Sequence, residues 1–131
     1  MLDHRRLLIL SGLSILFWIL ATLYIRFMPS YLVDPIKVSI GFITSIPVGW
    51  LSVLILKRIA ALSNEELLAG VSVVGALAMM IDGVVLRWAP VVYGEDSTTV
   101  RMGAAWLLWG YGVSFAIALL MTRSKRRMSA R

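Results

Sequence analysis

The sequence predicts an all-α membrane protein: an antiparallel four-helix transmembrane bundle with both termini in the cytoplasm. Three observations lead to this prediction. The chain contains four apolar runs of about twenty residues, its composition is 60% hydrophobic, and its positive charges fall unevenly between the polar connections. Apolar residues make up roughly half of a soluble domain, and the mean hydropathy here is +0.87. At this length we expect residues 1–131 to form one domain.

The four predicted spans are residues 7–27, 38–56, 66–87 and 103–122. Each is long enough to cross a hydrocarbon core of about 30 Å, because an α-helix rises about 1.5 Å per residue. The runs are apolar on every side, which favours lipid around each helix over water. The first run exceeds the roughly 7–15 apolar residues of a signal peptide, so we expect it to be a retained anchor.

Pro47 lies near the middle of the second span, and we expect a kink there. A proline inside a helix removes one backbone hydrogen bond and leaves the carbonyl of Ile43 without its donor. The hydroxyls of Thr44 and Ser45 are close enough in sequence to help satisfy the freed backbone groups. Two interpretations stay open: a hinge or cavity wall, and a static kink. The second is favoured because proline is frequent in transmembrane helices.

Capping signals mark the start of the later spans. Ser63 and Glu66 have the spacing of a capping box, which predicts the beginning of the third helix. Asp96 or Ser97 is expected to cap the fourth helix. The third span is rich in small residues and is therefore expected to lie inside the bundle.

The distribution of Lys and Arg predicts the orientation of the chain. Nine of the thirteen fall on one side of the predicted spans: Arg5, Arg6, Lys57, Arg58, Arg123, Lys125, Arg126, Arg127 and Arg131. The other four are Arg26, Lys37, Arg87 and Arg101. The positive-inside rule then places both termini and the loop after the second span in the cytoplasm. The net charge of +6 therefore describes topology, and no nucleic-acid partner is expected.

Asp82 is the one ionisable residue well inside a predicted span. A charge at membrane depth costs roughly 2.5–3.5 kcal/mol on insertion scales and is usually paired or faces a cavity. Arg26 and Arg101 are expected near the same depth, and Arg26 is the preferred partner. One interpretation makes Asp82 a structural pin between helices. The other makes it a cation or proton site coupled to transport. The structural interpretation is favoured because arginines are expected near Asp82.

Three aromatic residues of the fourth span could line a pocket for a lipid or an aromatic cation: Trp106, Trp109 and Tyr111. The commoner role of such residues is packing and interfacial anchoring, and we favour that interpretation.

No catalytic constellation appears in the sequence. The chain has no cysteine, and its single histidine, His4, lies outside the predicted spans. This excludes disulfides, thiolate metal sites and bis-histidine haem ligation by this chain alone. Because no paired carboxylates share a span and no phosphate-binding loop occurs, we expect no enzymatic activity, no metal site and no cofactor.

Three segments together resemble a family of small bacterial four-span proteins known as a domain of unknown function. The resemblance covers nearly the whole chain and implies a bacterial integral membrane protein, without implying an activity. We expect the plasma membrane as its location. The segments are Trp18 to Phe27, Met80-Ile81-Asp82 and Ala105-Trp106-Leu-Leu-Trp109-Gly110-Tyr111.

Two functions are expected from these features. The first is a non-enzymatic structural or accessory membrane protein that binds lipid, a second copy of itself or a larger membrane complex, because small-residue faces are abundant and no reactive constellation occurs. The alternative is a small oligomeric transporter or channel that uses Asp82.

Overall fold

The computed structural model describes residues 2–129, with side chains described for residues 2–123. The described chain is helical throughout, and four of its helices are long and apolar enough to cross a membrane. This confirms the predicted all-α, four-span class. The elements are α1 (His4–Phe27), α2 (Ser30–Val33), α3 (Pro35–Ile59), α4 (Asn64–Trp88), a 3-10 turn (Pro90–Val92) and α5 (Ser97–Ser129).

Each long helix begins two to six residues before the apolar run predicted for it. The reason is capping, since a polar side chain satisfies the first free N–H groups and starts the helix outside the apolar run. Asp3 and Asp34 cap α1 and α3, and Ser63 forms the predicted capping box with Glu66 at the start of α4. Asp96 accepts hydrogen bonds from two backbone N–H groups of α5, which identifies it as the cap of that helix.

Two short elements in the connections were not predicted. The helix α2 packs against α3 and α5, and its Leu32 is buried. The 3-10 turn lies between α4 and α5 and brings the chain back toward the bundle. Elements of three or four residues carry no measurable hydrophobic periodicity, so a sequence pattern cannot reveal them.

Polar contacts identify the two ends of the bundle. At one end, which we call the Glu66 end, Arg6 Nη1 donates to Glu66 Oε2 at 2.8 Å and so joins the beginnings of α1 and α4. Thr122 Oγ1 at the far part of α5 donates to the carbonyl of Asn64 at 2.9 Å. We call the opposite end, which holds Tyr93, the Tyr93 end. The basic residues beyond position 123 lie outside the described side chains.

The helices pack in an order that leaves one edge of the bundle open. The helix α4 packs closely against α1 and α5, and α5 packs closely against α3. In contrast, α1 and α3 contact each other little. The order across the bundle is therefore α1, α4, α5, α3, with a gap between its first and last members.

Two buried clusters hold this arrangement together. The cluster nearer the Glu66 end unites all four long helices and includes Leu10, Leu13, Val53, Leu56, Val71 and Ile117. The cluster at the Tyr93 end consists of Ile25, Leu32, Tyr93 and Leu107. Within the first cluster, Ser14 Oγ donates to the carbonyl of Val74 at 2.8 Å, which brings α1 and α4 close together. The outward surfaces of the long helices carry exposed large apolar side chains, as expected of helices surrounded by hydrocarbon.

The helix α3 continues through Pro47. Thr44 Oγ1 donates to the carbonyl four residues earlier at 2.8 Å, and Ser45 Oγ donates to the carbonyl of Phe42 at 2.5 Å. These hydroxyls bind carbonyls in the turn before Ile43, so the expectation that they replace the bond lost at Ile43 was wrong. Each hydroxyl reaches back along its own helix, where carbonyls three and four residues earlier lie nearest. The kink stays a prediction.

Gly103 is a sensitive packing position in α5. A Cβ atom there would lie 2.9 Å from Cγ2 of Ile25, which is fully buried and β-branched. We expect Gly103→Ala to lower the free energy of unfolding by about 1–3 kcal/mol, because a stiff, enclosed side chain has to move. Gly112→Ala is the matched control, since a Cβ at Gly112 meets no atom within 4 Å. Unfolding in mixed micelles titrated with dodecyl sulfate measures both, and an equal loss in the two variants would contradict the packing.

Candidate functional site

Asp82 lies in α4 with only 4% of its surface exposed, and protein donors reach both of its carboxylate oxygens. Its Oδ1 accepts a hydrogen bond from Trp18 Nε1 at 2.9 Å and another from the hydroxyl of Tyr93. Its Oδ2 accepts a hydrogen bond from the hydroxyl of Tyr111. Trp18 Nε1 also donates to the Tyr93 hydroxyl at 3.1 Å. We call these four residues the Asp82 cluster.

The Asp82 cluster joins separate parts of the fold. Trp18 belongs to α1, Tyr111 belongs to α5, and Tyr93 follows the 3-10 turn. Tyr93 is only 1% exposed although it stands in a connection, because the turn directs the chain back into the bundle. Desolvation by this burial is the main cause that raises the pKa of Tyr93, and the hydrogen bond to Asp82 adds to it. The phenol therefore stays protonated and continues to donate to the carboxylate.

The predicted ion pair between Asp82 and Arg26 was wrong. Arg26 Nη1 donates to the carbonyl of Val91 at 3.0 Å, and its Nη2 lies 3.5 Å from Glu95 Oε1. Both partners belong to the connection before α5, so Arg26 holds that connection. Neutral aromatic donors satisfy Asp82 instead, without the cost of removing a second charge from water.

Arg101 is also separate from Asp82. It is exposed and lines a surface groove together with Glu95 and Asp96. A cation can remain near the headgroups there, whereas reaching Asp82 would require burial of the guanidinium. Among the described residues, Asp82, Arg26 and Arg101 therefore do not form the group that the sequence predicted.

An apolar cleft of about 440 Å³ opens between α1 and α3. We call it the lateral cleft. Buried residues of α4 and α5 form its floor, for example Val74, Ala78 and Leu107. Leu20 of α1 and Leu51 of α3 form its rim and are 53% and 58% exposed. The cleft is therefore open toward the lipid side of the bundle. Its volume falls within the roughly 300–1,000 Å³ of sites that bind small molecules.

Helices α1 and α3 approach each other at two places along the lateral cleft. Toward the Glu66 end, Leu13 and Val53 belong to the buried cluster that brings α1 and α3 onto a common core. Toward the Tyr93 end, the Tyr24 hydroxyl reaches across to α3, where a Cβ on Gly41 would lie 3.1 Å from it. A glycine at position 41 is what allows this close approach.

The three candidate aromatic residues of the fourth span divide between two roles. Trp106 and Tyr111 line the lateral cleft. Trp109 instead fastens α5 to α3: its Nε1 donates to the carbonyl of Phe42 at 2.9 Å and to Ser45 Oγ at 2.7 Å. The predicted packing role therefore holds for Trp109.

Trp106 differs because its indole nitrogen is buried and has no hydrogen-bond partner among the described residues. Its ring stacks on Tyr24 with 4.5 Å between centroids. A buried, unpaired N–H group costs free energy, so the packing of the Trp106 ring against Tyr24 has to offset that cost.

Sequence reasoning did not identify Trp18 and Tyr93 as partners of Asp82. The available signal was chemical: a carboxylate at membrane depth needs donors, and indole and phenol groups are donors that an apolar environment tolerates. Among the described residues, no group of three or more His, Cys, Asp or Glu side chains is placed to hold a metal ion.

The fold and the site together define a multi-pass helical membrane protein with a satisfied buried carboxylate beside a lipid-facing cleft. No protein-family model, curated protein or solved structure matches this chain.

The Asp82 cluster is expected to be a major source of stability. Asp82→Asn replaces one acceptor oxygen by an NH₂ group, so one of the surrounding donors loses its acceptor. We expect a loss of about 1–3 kcal/mol in the free energy of unfolding, and a larger loss for Asp82→Ala. Glu65→Gln is the control, because Glu65 is exposed and lies outside the cluster. Unchanged stability in Asp82→Ala would contradict the cluster.

Exchange of charges between Arg26 and Asp82 provides a further test. Because the two side chains have different partners, we expect the double variant Arg26→Asp with Asp82→Arg to be no more stable than Asp82→Arg alone. Thermal unfolding followed by circular dichroism compares the variants. Recovery of wild-type stability in the double variant would restore the ion pair as the explanation.

Proposed function

We propose that this protein is a non-enzymatic accessory protein of a bacterial plasma membrane that binds lipid hydrocarbon in its lateral cleft. The observation that carries the proposal is the cleft itself: it is apolar, it lies on membrane-spanning helices, and it opens between α1 and α3. Lipid chains are the molecules that surround such an opening. A void left empty would forfeit the dispersion contacts of its lining.

The proposed setting is an antiparallel bundle with both termini in the cytoplasm. The nine-to-four distribution of Lys and Arg supports this orientation. The contact between Arg6 and Glu66 supports parallel α1 and α4, and the contact between Thr122 and Asn64 supports α5 running opposite to α4. The resemblance to small bacterial four-span proteins is the motive for the bacterial assignment.

The geometry favours lipid binding over transport through Asp82. A transport carboxylate has to exchange its ligand with a cavity, whereas both oxygens of Asp82 accept hydrogen bonds from Trp18, Tyr93 and Tyr111. Releasing the carboxylate to a cation would leave these donors unpaired. The cluster therefore supports a structural role for Asp82.

Filling the lateral cleft tests the proposal. Gly110 lines the cleft, and a Cβ placed on it has no neighbouring atom within 4 Å. Gly110→Phe should therefore introduce a ring into the cleft without a clash at its base. We expect native mass spectrometry of protein released from lipid nanodiscs to show bound lipid on the wild-type chain and its loss in Gly110→Phe.

Gly112→Phe is the matched control. Gly112 lies on the same helix, is exposed, and likewise has no atom within 4 Å of its Cβ position, but it does not line the cleft. This variant should retain lipid as the wild type does. Absence of bound lipid from the wild type, or equal retention by both phenylalanine variants, would contradict lipid binding in the cleft.

A further inference from the structure

Six aromatic side chains line the lateral cleft, three from α1 and three from α5. Each of them is half-buried, so each keeps part of its ring accessible. The face of an aromatic ring carries partial negative charge and attracts a cation that lies over it. The cleft therefore offers electron-rich surface to a ligand. The six residues are Phe17, Trp18, Tyr24, Trp106, Tyr111 and Phe115.

A negative charge lies directly behind part of this aromatic lining. Trp18 and Tyr111 line the cleft, and the same two residues donate hydrogen bonds to the Asp82 carboxylate. Asp82 is therefore separated from the cleft by the width of one side chain. An indole or phenol that donates to a carboxylate is polarised by it, so its ring becomes richer in electrons. Screening is also weak in apolar surroundings, so the field of the carboxylate extends into the cleft.

No cationic side chain of the described residues pairs with this charge. Within residues 2–123, no Lys, Arg or His side chain lies within salt-bridge distance of Asp82. The residues that line the cleft are all uncharged. Neutral donors satisfy the hydrogen-bonding capacity of the carboxylate but leave its net charge in place. The adjoining cleft is therefore a position where a positive charge is stabilised and a negative charge is repelled.

The hydroxyl groups of the cleft also favour a cation. Thr44, Ser52 and Ser114 line the cleft. Each hydroxyl donates to a carbonyl four residues earlier on its own helix, at 2.8, 2.8 and 3.0 Å, respectively. Because these protons are already engaged, the three oxygens can only accept. They present the negative end of a dipole to a cation and offer no donor to an anion.

The entrance and the lining together define the chemistry of the ligand. The entrance lies between the exposed side chains of Leu20 and Leu51, so a ligand that enters from the bilayer has to dissolve in hydrocarbon. The lining offers ring faces and hydroxyl oxygens, and the Asp82 oxygens are already hydrogen-bonded by protein donors. A quaternary ammonium or phosphonium ion meets both conditions, because apolar substituents cover its charge and it needs no hydrogen bond.

We propose that the lateral cleft binds a lipophilic quaternary cation, which is held by the aromatic lining and by the negative charge of Asp82. This inference goes beyond the proposed function, because it assigns a second class of ligand to the same opening, where the cation displaces a lipid chain. The carboxylate keeps its hydrogen bonds from Trp18, Tyr93 and Tyr111 throughout. Binding therefore requires no rearrangement of the Asp82 cluster.

A pair of probes that differ only in charge tests the inference. Methyltriphenylphosphonium and methyltriphenylsilane have the same shape, but the central atom is positively charged phosphorus in one and neutral silicon in the other. Equilibrium dialysis of phosphatidylcholine nanodiscs with and without the protein gives the affinity of each probe relative to probe dissolved in the lipid. On this scale the wild type should prefer the phosphonium about tenfold, which corresponds to about 1.4 kcal/mol and is of the size of a desolvated cation–π interaction.

Asp82→Asn tests the source of the preference, because it keeps the size of the side chain and removes its charge. We expect this variant to bind the phosphonium about tenfold more weakly than the wild type, a change of about 1.4 kcal/mol, and to bind the silane equally well. The silane also reports on folding, since a collapsed cleft would lose both probes. Tyr111→Phe is the matched control: it removes one hydrogen bond to Asp82 but keeps the ring and the charge, so it should retain the preference.

Filling the cleft locates the bound cation. Gly110→Phe should lose both probes, and Gly112→Phe, whose side chain lies outside the cleft lining, should retain both. Retention of the phosphonium by Gly110→Phe would place the cation elsewhere on the protein and overturn the inference.

The remaining outcomes separate this inference from lipid binding. Equal affinity of the wild type for the two probes overturns the inference, as does a preference for the phosphonium that persists in Asp82→Asn. Bound lipid in the mass spectra together with either result leaves the proposed function intact. Conversely, a wild-type chain that prefers the phosphonium but carries no lipid supports this inference and overturns the proposed function alone.

Discussion

The rest of the structure depends on one constraint: a carboxylate buried at membrane depth has to be hydrogen-bonded by protein groups. Asp82 meets it with an indole from α1 and two phenols, one from α5 and one from the connection after α4. Each donor comes from a different element, so satisfying the carboxylate also fixes the positions of those elements around α4. A neutral donor set achieves this without burying a second charge, whose desolvation would be expensive. Arg26 remains free to hold the connection through Val91 and Glu95.

The same arrangement explains why the bundle has an open edge. The cluster draws α1 and α5 toward α4, whereas α3 is held mainly by α5, with Trp109 bonded to Phe42 and Ser45. Among the described residues, no comparable polar contact joins α1 to α3 along one interval of their length. This interval begins at the buried cluster near the Glu66 end and finishes where Tyr24 approaches Gly41. The lateral cleft occupies that interval. The stability of the bundle and its open edge thus have a common origin, because the contacts concentrate on α4 and α5.

The sequence predicted a large share of the fold and little of the site. Span number and approximate position follow from run length, and the capping positions at Ser63 and Asp96 follow from the local chemistry of helix starts. The importance of Asp82 was also predictable, since an intramembrane carboxylate is rare. Its partners were not: opposite charge favoured Arg26, whereas Tyr93 reaches Asp82 only because a 3-10 turn redirects the connection into the bundle. Such a turn leaves no periodic signal in the sequence.

By itself, the sequence determined that this is a helical membrane protein with four spans and one buried charge, because hydrocarbon requires internally satisfied helices of a set length. Only the tertiary structure decided which helices are neighbours, which donors satisfy Asp82, and that the gap lies between α1 and α3. The physical reason is that lipid hydrocarbon favours apolar side chains equally on every face of every span. Helix order therefore depends on close packing and on a few polar contacts between residues distant in sequence, such as Trp18 with Asp82 and Trp109 with Ser45.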